Sequence, residues 1–289
     1  PLIFANNDRP GIMLSHAAAT YVAVHGVTIF KRAVVVTVDN QGYRDALRLH
    51  QAGVPVQAIY DVRPNAQGAS FDAAMSAGIP VLFRKTVLDT TSNEEGTLQS
   101  VIIQDLDTNE KIYTTTDLLA VSGGWTPIVD LATHISIKPK WSAEHAAFLV
   151  HHATDRLQTA GMLAGDFGGD DDSSVFFGPT LDDEQARNAY IDLQRDATLH
   201  ELRRAVGAGL HSIEHIKRYT TIGTAHDQGK TSVEVGRVEL GARAHGVFVG
   251  IAEDEAGQLL LQRVLVALGV HHAEQLVAVL ESDRHAHVA

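Results

Sequence analysis

The sequence contains no cysteine. That absence excludes disulfides, thiolate metal sites, cysteine nucleophiles and any iron–sulfur cluster ligated by this chain. A chain without cysteine also suits a reducing compartment, and we expect a cytoplasmic location.

Basic residues are scarce: 23 lysines and arginines stand against 35 aspartates and glutamates, a formal net charge of −12. An extended nucleic-acid surface needs clustered basic side chains, so we expect no nucleic-acid partner. No stretch approaches the roughly 20 apolar residues of a membrane span, so we expect no membrane segment either. Residues 1–7 lack the features of a signal peptide, and we expect the chain to begin inside a longer coding sequence.

Motifs for metal binding and hydrolytic catalysis are also missing. His211 and His215 are four residues apart on a predicted helix, but no carboxylate completes a known zinc pattern. The acidic run Asp170–Asp172 does not fit a calcium loop. No nucleophile elbow, phosphate-binding P-loop or Ser-His-Asp signature occurs. We therefore predict no metal site and assign no catalytic residue.

Residues 33–122 predict an α/β unit of the nucleotide-binding kind, because apolar runs alternate with helical spacing. This order is typical of a parallel, doubly wound sheet. The predicted elements are a strand at 33–38, a helix at 41–52, a strand at 54–60, a helix at 66–77 and a strand at 79–83. Extended segments at 98–105 and 110–116 follow as a hairpin, and residues 117–122 form an apolar strand.

The rest of the chain is less regular. The acidic, glycine-rich stretch 165–174 predicts a loop or linker. Thr198 and Glu201 have the spacing of a capping box, and apolar residues from Leu199 to Ile216 predict one helical face. Residues 259–280 predict a further helix.

The first candidate site is the turn after the first strand. A dinucleotide is held there by a helix N-terminus, and an acidic residue ending the next strand, here Asp61, can bind a ribose hydroxyl. Only Gly42 survives of the glycine fingerprint, and Arg63 leaves NAD and NADP equally open. The alternative is an inherited sheet that no longer binds a cofactor. The candidate residues are Asp39, Asn40, Gly42, Tyr43, Asp61, Arg63, Ser122, Gly123 and Gly124.

The second candidate site is a basic, hydroxyl-rich segment near residues 215–232. Arginine can fork onto a phosphate, lysine can add a point charge, and threonine hydroxyls can donate. The alternative is a solvated helix end followed by a loop. The candidate residues are Lys217, Arg218, Thr220, Thr221, Gln228, Lys230 and Thr231.

Four segments resemble the alpha subunit of heterotetrameric sarcosine oxidase and its relatives in opine oxidase and hydrogen cyanide synthase. They are residues 1–13, 117–127, 212–221 (SIEHIKRYTT) and 227–232 (DQGKTS). The resemblance runs with gaps to about residue 250, diverges over 151–178, and lacks the family's N-terminal half and its C-terminal folate-binding domains.

The resemblance implies a reductase-like fold with a Rossmann-like NAD-binding domain inserted into a partial first dinucleotide-binding domain, followed by a helical region. It also implies oxidation of sarcosine or a similar secondary amine, NAD on this chain, FMN shared at an interface, and FAD on a partner. The expected partners are a beta-type flavin subunit and smaller subunits. The implied domains are 1–32 (partial first domain), 33–122 (inserted domain), 123–185 (return and acidic linker) and 186–289 (helical region with the FMN segment).

Two interpretations remain open at this point. In one, the chain is a cofactor-binding subunit of an amine oxidase complex and is not catalytically competent alone. In the other, it is a scaffold that keeps the nucleotide-binding fold and only binds partner chains.

Overall fold

The computed structural model describes residues 2–28, 30–142, 147–150, 157–167, 178–210, 213–226 and 229. The chain divides into two compact units, Pro1–Leu181 and Asp182–Ala289. We describe each unit by itself.

A five-stranded parallel sheet forms the centre of the first unit, with the strand order β1-β8-β2-β3-β4. The predicted α/β class and parallel sheet are therefore confirmed. The elements up to this point of the chain are β1 (Ile12–Leu14), α1 (Ser15–Ala23), β2 (Ala33–Thr37), α2 (Gln41–Gln51), β3 (Val56–Asp61), α3 (Ala69–Ser76), β4 (Val81–Phe83), β5 (Lys85–Ser92), β6 (Leu98–Asp105), β7 (Lys111–Thr115) and β8 (Leu118–Ser122).

The two faces of the sheet are covered differently. Helices α1, α2 and α3 pack on one face, where Val35 and Ile59 meet Tyr43 and Leu49 of α2. The other face is covered by the antiparallel sheet β5-β6-β7, whose Val101 packs in the same core as Val36 and Val121. Every residue of β2 and of β8 is buried, since both strands lie inside the sheet with both faces covered.

The structure differs here from the doubly wound sheet that the sequence predicts. Strand β5 was not predicted, because polar residues interrupt its apolar ones, yet it supplies Val87 to the core. With β6 and β7 it takes the face that a second layer of helices would occupy. The N-terminal segment also enters this core through Leu2 and Phe4.

The sheet begins earlier than residue 33. Strand β1 pairs in parallel with β8, and α1 follows it and packs beside α2. Gly11 makes this pairing feasible: its φ is +104°, and a Cβ there would come within 2.8 Å of Asp117 O and of Leu98 Cβ. Three half-exposed residues are too short a pattern to predict a strand. The domain boundaries themselves stay predictions.

The remaining elements of the first unit are short. They are α4 (Asp130–His134), the antiparallel pair β9 (Lys140–Ser142) and β10 (Ala147–Leu149), and a 3-10 helix at Gly161–Ala164. The predicted acidic linker falls largely on residues 168–177, outside the described residues.

The second unit contains, in its described part, α5 (Asp183–Arg187), β11 (Tyr190–Asp192), β12 (Ala197–Thr198), α6 (Leu199–Gly207) and α7 (Ile213–Thr220). The capping box at the start of α6 is confirmed: Thr198 Oγ1 accepts from Glu201 N, and Glu201 Oε2 accepts from Thr198 N at 2.9 Å. The prediction of one continuous helical face from Leu199 to Ile216 is wrong. Helix α6 ends at Gly207, and Gly209 has a φ of +86°, so a separate helix carries Ile216.

Within the described residues, no helix is long and apolar enough to cross a membrane. The helix predicted at 259–280 lies outside the described residues.

Candidate functional site

The strand order of the parallel sheet reverses next to β2. The chain runs from β2 outward through β3 to β4, whereas β8 and β1 lie on the other side of β2. At such a reversal the connections leave the carboxyl ends of the two strands in opposite directions, and a crevice opens between them. Thr37 and Ser122 are aligned as the last residues of β2 and β8, so this carboxyl edge is where a ligand of the sheet is expected.

The Asp39 carboxylate lies between the carboxyl ends of β2 and β8. Its Oδ1 accepts a 2.7 Å hydrogen bond from Ser122 Oγ and a 3.4 Å hydrogen bond from Gly42 N. The carboxylate is 2% exposed. The structure thus brings three predicted site residues into direct contact, with the carboxylate facing protein donors at the start of α2.

Asp61, at the end of β3, is the centre of a second polar cluster. Its Oδ2 accepts a 2.6 Å hydrogen bond from the Tyr43 hydroxyl and a 2.7 Å bond from Arg63 Nη2. Its Oδ1 accepts from Arg63 N and Arg63 Nε. Arg63 also donates to Asn40 Oδ1 at 2.9 Å, and Asn40 Nδ2 donates to Gln67 O. The pair Asp61–Arg63 therefore ties the end of β3 to the start of α2.

Burial governs the ionisation of this cluster. Burial of the phenol raises the pKa of Tyr43 far above its ordinary value, and the neighbouring Asp61 carboxylate raises it further. Burial alone would lower the pKa of Arg63, but its hydrogen bonds and charge attraction to Asp61 raise that pKa above its ordinary value. At neutral pH the cluster therefore holds a neutral phenol and a charged guanidinium.

Gly42 has a packing role. A Cβ on Gly42 would clash directly with Oγ1 and Cβ of Thr37, so only glycine lets α2 start this close to the end of β2. Gly124 has a φ of +91° and lies next to Val38. Gly123 and Gly124 follow β8 directly, so the chain carries no side chain where it leaves this strand.

These contacts limit which parts of a dinucleotide the carboxyl edge of the sheet can bind. A helix N-terminus favours an anion, but at the start of α2 the buried Asp39 carboxylate already accepts from Gly42 N. A diphosphate would therefore have to compete with Asp39 for this position. Asp61 fits a ribose less well, because it is fully buried and surrounded by donors from Tyr43 and Arg63. A ribose hydroxyl reaches this carboxylate only if the Arg63 side chain moves aside.

The second candidate site begins on α7, where Lys217 and Arg218 occupy the last turn. Cations at that end of a helix are stabilised by the helix dipole, so their position has a structural reason of its own. Thr220 is buried, and its hydroxyl donates to Ile216 O at 2.7 Å. Thr221 is exposed in the left-handed region, with a φ of +62°. Gln228, Lys230 and Thr231 lie outside the described residues.

Two contacts that the sequence did not indicate shape this end of α7. Asp192 is buried and accepts a 2.8 Å hydrogen bond from Gly223 N, which anchors the turn after Thr221. The Arg204 guanidinium lies 5.6 Å from the centre of the Tyr219 ring, so α6 and α7 are joined by a cation–π contact. In the sequence Asp192 is one acidic residue in a polar stretch, and no pattern marks it as buried.

The first unit has a further cluster that sequence reasoning missed, at the carboxyl end of β1. Asp45 of α2 is fully buried; it accepts a 2.8 Å bond from Ser15 Oγ, and His16 Nδ1 lies 3.6 Å from its other oxygen. The His16 ring contacts the Trp125 ring edge to face, with 5.8 Å between centroids. Among the residues that the structure describes, no three or more His, Asp and Glu side chains form a group able to hold a metal ion.

The chain is similar to known proteins over most of its length. Residues 186–251 match the family model described as the sarcosine oxidase A3 domain. The sarcosine oxidase subunit alpha of Corynebacterium sp. (strain P-1) is 35% identical over 273 residues, which is 80% of this chain and 28% of that protein. The subunit of the same name from Rhizobium meliloti (strain 1021) is 33% identical over 86% of this chain and 27% of that protein.

The chain thus spans little more than a quarter of the length of these relatives. Among solved structures, L-proline dehydrogenase from P. horikoshii matches with a TM-score of 0.56 at 14% identity, over 82% of this chain and 50% of that one. At that identity the likeness concerns the fold alone. The resemblance to the sarcosine oxidase alpha subunit that the sequence indicates is confirmed.

Proposed function

We propose that this relative of the sarcosine oxidase alpha subunit is part of a flavin-dependent amine oxidase complex that oxidatively demethylates sarcosine or a similar secondary amine. In this proposal the chain binds NAD, contacts FMN at an interface with a beta-type subunit, and leaves FAD and the amine to its partner. The similarity to two alpha subunits along four-fifths or more of the chain is the observation that carries it.

The carboxyl edge at β2 and β8 supports the NAD assignment. Asp39 follows the end of β2 by two residues and Asp61 ends β3, and Gly123 and Gly124 follow β8 at the same edge of the sheet. The diphosphate would lie over the first turn of α2, and the adenosine half would lie towards β3. When bound, NAD would supply a nicotinamide ring to the site, while this chain's residues bind and orient it.

A ligand series tests the adenosine position without altering the buried cluster. Asp61 would accept from the 2′-hydroxyl of the adenosine ribose once Arg63 has moved. ADP-ribose should therefore bind more tightly than its 2′-deoxy-adenosine analogue by about 1–3 kcal/mol, the range for an unmade buried hydrogen bond. Equal affinities in calorimetry would remove Asp61 from the site. Asp61→Ala should also weaken NAD binding, with circular dichroism as the check on folding.

The basic segment supports an FMN contact, because Lys217 and exposed Arg218 concentrate positive charge in a chain whose formal net charge is −12. The residues proposed for the contact are Lys217, Arg218, Thr220, Thr221, Gln228, Lys230 and Thr231. We expect Arg218→Ala combined with Lys230→Ala to lower the FMN content of the purified complex. Arg187→Ala is the matched control, since Arg187 is an exposed arginine in the last turn of α5. Unchanged flavin content in the double variant would exclude the phosphate contact.

A second candidate function is a partner-binding scaffold without nucleotide. The closed cluster of Tyr43, Asp61, Arg63 and Asn40 favours it, because these groups satisfy one another. Native mass spectrometry of the complex, followed by denaturation and identification of released molecules, separates the two. An assembly that releases NAD, with flavins on a partner, supports the oxidase subunit. An assembly with partner chains but no nucleotide supports the scaffold.

A further inference from the structure

Helix α1 is apolar on its outer side as well as on the side that packs against the sheet. On the inner side, Ala18 and Val22 lie in the same core as Val35 of β2. On the outer side, the helix and the residues that border it expose four large apolar side chains. They are Leu14 at 48%, Tyr21 at 50%, Val24 at 72% and Val27 at 50% exposed.

Charged side chains are missing from this helix and from its flanks. No Asp, Glu, Lys or Arg occurs from Pro10 to Phe30, although charged residues make up 20% of the whole chain. A helix at a protein surface ordinarily carries charged residues on its solvent side, and a helix that is apolar all round is usually buried. Helix α1 therefore has the composition of a helix that is covered on both sides.

A second exposed apolar segment follows β8 and adjoins α1. Its exposed side chains are Trp125, Ile128, Leu131 and Ile135, between 46% and 73% exposed. The rings of His16 in α1 and Trp125 meet edge to face, with 5.8 Å between their centroids, so the two segments are in contact. This segment is also poor in charge, since Asp130 is the one charged residue from Leu118 to Ile137.

Together these segments form what we call the α1 face, defined as Leu14 to Val27 and Trp125 to Ile135. Of the twelve large apolar side chains that are well exposed among the described residues, eight belong to this face, four from each segment. Such side chains scattered singly are ordinary on a surface, whereas a concentrated group marks an interaction site. Protein interfaces also have few charged residues and many aromatic ones at their centre, as here with Tyr21 and Trp125.

Charge decides which occupant suits the α1 face. Helices that lie on membrane surfaces carry Lys and Arg on their polar side, and α1 contains neither. Two copies of this chain would each bring a formal net charge of −12, and like charges oppose their association. A different polypeptide with an uncharged, apolar surface meets neither objection.

The border of the α1 face is basic. Lys31 and Arg32 are exposed and follow Val27 by four and five residues. Their backbone amides both donate to the Asp117 carboxylate, which fixes this border next to the starts of β2 and β8. Carboxylates at the edge of a docked polypeptide would meet these two cations, which is the charge complementarity that selects a partner.

We propose that the α1 face is the docking surface for a partner subunit of the amine oxidase complex. The matching surface of that subunit is apolar and uncharged at its centre and carries carboxylates where it meets Lys31 and Arg32. This inference rests on the proposed function only in requiring such a complex, and it is independent of where NAD and FMN bind.

Dilution of the purified complex tests the central contact. Tyr21→Gln combined with Val24→Gln makes two exposed side chains polar without changing the charge. We expect one partner subunit to dissociate at a concentration roughly tenfold or more above that of the parent complex, because a few central anchors dominate the affinity of an interface. Native mass spectrometry over a dilution series identifies that subunit by its mass. The matched control is Met75→Gln with Tyr113→Gln, whose side chains are 51% and 68% exposed elsewhere on the first unit.

Two further double variants test the rest of the α1 face. Ile128→Gln with Leu131→Gln should cause a similar loss, since both segments belong to one surface. Lys31→Gln with Arg32→Gln should slow association at low ionic strength and make its rate less dependent on salt, because border charges act mainly on the association rate. Stopped-flow mixing of the separated subunits measures both effects. Urea denaturation of each variant chain alone should match the unaltered chain, because the altered side chains are exposed.

Each alternative occupant has its own result. An unchanged dissociation concentration for Tyr21→Gln with Val24→Gln would overturn the inference. A dimer of the chain alone, or binding of the chain to phosphatidylserine vesicles, would overturn it too if this double variant abolished either one. A chain that purifies without any partner subunit would overturn the proposed function together with this inference. A complex that assembles through the α1 face but contains no flavin would overturn the proposed function and leave the docking surface standing.

Discussion

The hydroxyl of Tyr43 donates a 2.6 Å hydrogen bond to the Asp61 carboxylate, and both side chains are completely buried. This bond joins the first turn of α2 to the end of β3. Its acceptor is a fully buried carboxylate, so its loss would leave part of a charge unsatisfied.

Tyr43→Phe should therefore lower the free energy of unfolding by about 1.5–3 kcal/mol, the range for a hydrogen bond to a charged group. Urea denaturation followed by circular dichroism measures the change. Tyr113→Phe is the control, because Tyr113 lies on β7 and is 68% exposed. Equal midpoints for Tyr43→Phe and the unaltered chain would contradict this role.

The same residue predicts a loss of stability at alkaline pH. Burial and the Asp61 carboxylate raise the pKa of folded Tyr43, while an unfolded tyrosine titrates near an ordinary pKa of about 10. Above that pH the unfolded chain releases a proton that the folded chain retains, so unfolding becomes more favourable as pH rises. The contribution is fully present below about pH 10 and declines by about 1.4 kcal/mol per pH unit above it.

Urea titrations from pH 9 to 11.5 measure this decline as a difference between the unaltered chain and Tyr43→Phe. Other tyrosines and the lysines titrate in both proteins, so their contributions largely cancel. The stability difference should shrink as pH rises. A constant difference over the whole range would contradict the shifted pKa.

Two arginine–aspartate pairs of the first unit should differ widely in importance. Arg63 and Asp61 form a buried pair at 2.7 Å, with side chains 4% and 0% exposed. Arg84 and Asp107 form a pair at 3.1 Å with side chains 40% and 60% exposed. Arg63→Met should destabilise by about 3–5 kcal/mol because it strands a buried carboxylate. Arg84→Met should cost about 0–1 kcal/mol.

Adding Asp61→Asn to Arg63→Met should recover part of the stability, since no buried charge then lacks a partner. Thermal melts of the four proteins compare these effects. Similar losses for Arg63→Met and Arg84→Met would show that burial does not govern the two pairs.

Gly42→Ala should destabilise the first unit by about 1–3 kcal/mol, the usual penalty for an overpacked site. The added methyl would overlap Thr37 Oγ1 and Cβ, so α2 would have to move away from β2. Gly207→Ala serves as control, because a Cβ at Gly207 in α6 meets nothing within 4 Å and alanine favours a helix. Urea midpoints measure both. A Gly42→Ala protein as stable as the parent would refute the packing role.

The pKa of Asp105, the last residue of β6, should lie below that of an ordinary carboxyl group. The Lys85 ammonium lies 2.5 Å from its Oδ2, and the amides of Asp107 and Thr108 donate to its Oδ1. These contacts, led by the one with Lys85, lower the pKa of Asp105 to about 2. The stabilising effect is therefore present above the unfolded pKa of about 3.9 and is lost as pH falls towards 2.

NMR titration of the Asp105 carboxyl carbon measures this pKa directly. Lys85→Met should raise it markedly but not fully, since the two amides remain. Lys111→Met, at an exposed lysine of β7, should leave it unchanged. The same pKa in Lys85→Met and the parent would disprove the ion pair.

The candidate site was predictable in composition but not in its contacts. Residue types at or just after the ends of three apolar strands indicated Asp39, Asp61 and Ser122, because parallel strands bring their carboxyl ends to one edge. That Tyr43 and Arg63 would surround Asp61 could not be predicted. The Tyr43 contact depends on the rotation of α2 about its axis, which follows from the packing of Leu49 and Ala46 in the core beside the sheet.

The sequence by itself determined the α/β class, the positions of β2, α2, β3 and β8, the N-cap of α6 at Thr198, and the similarity to sarcosine oxidase alpha subunits. These follow from local periodicity, helix capping and short motifs, which residues near in sequence decide. Only the tertiary structure decided that β1 joins the sheet, that β5, β6 and β7 replace a second helical layer, and that Trp125 meets His16. Each of these joins residues far apart in the chain, where packing and burial outweigh local preference.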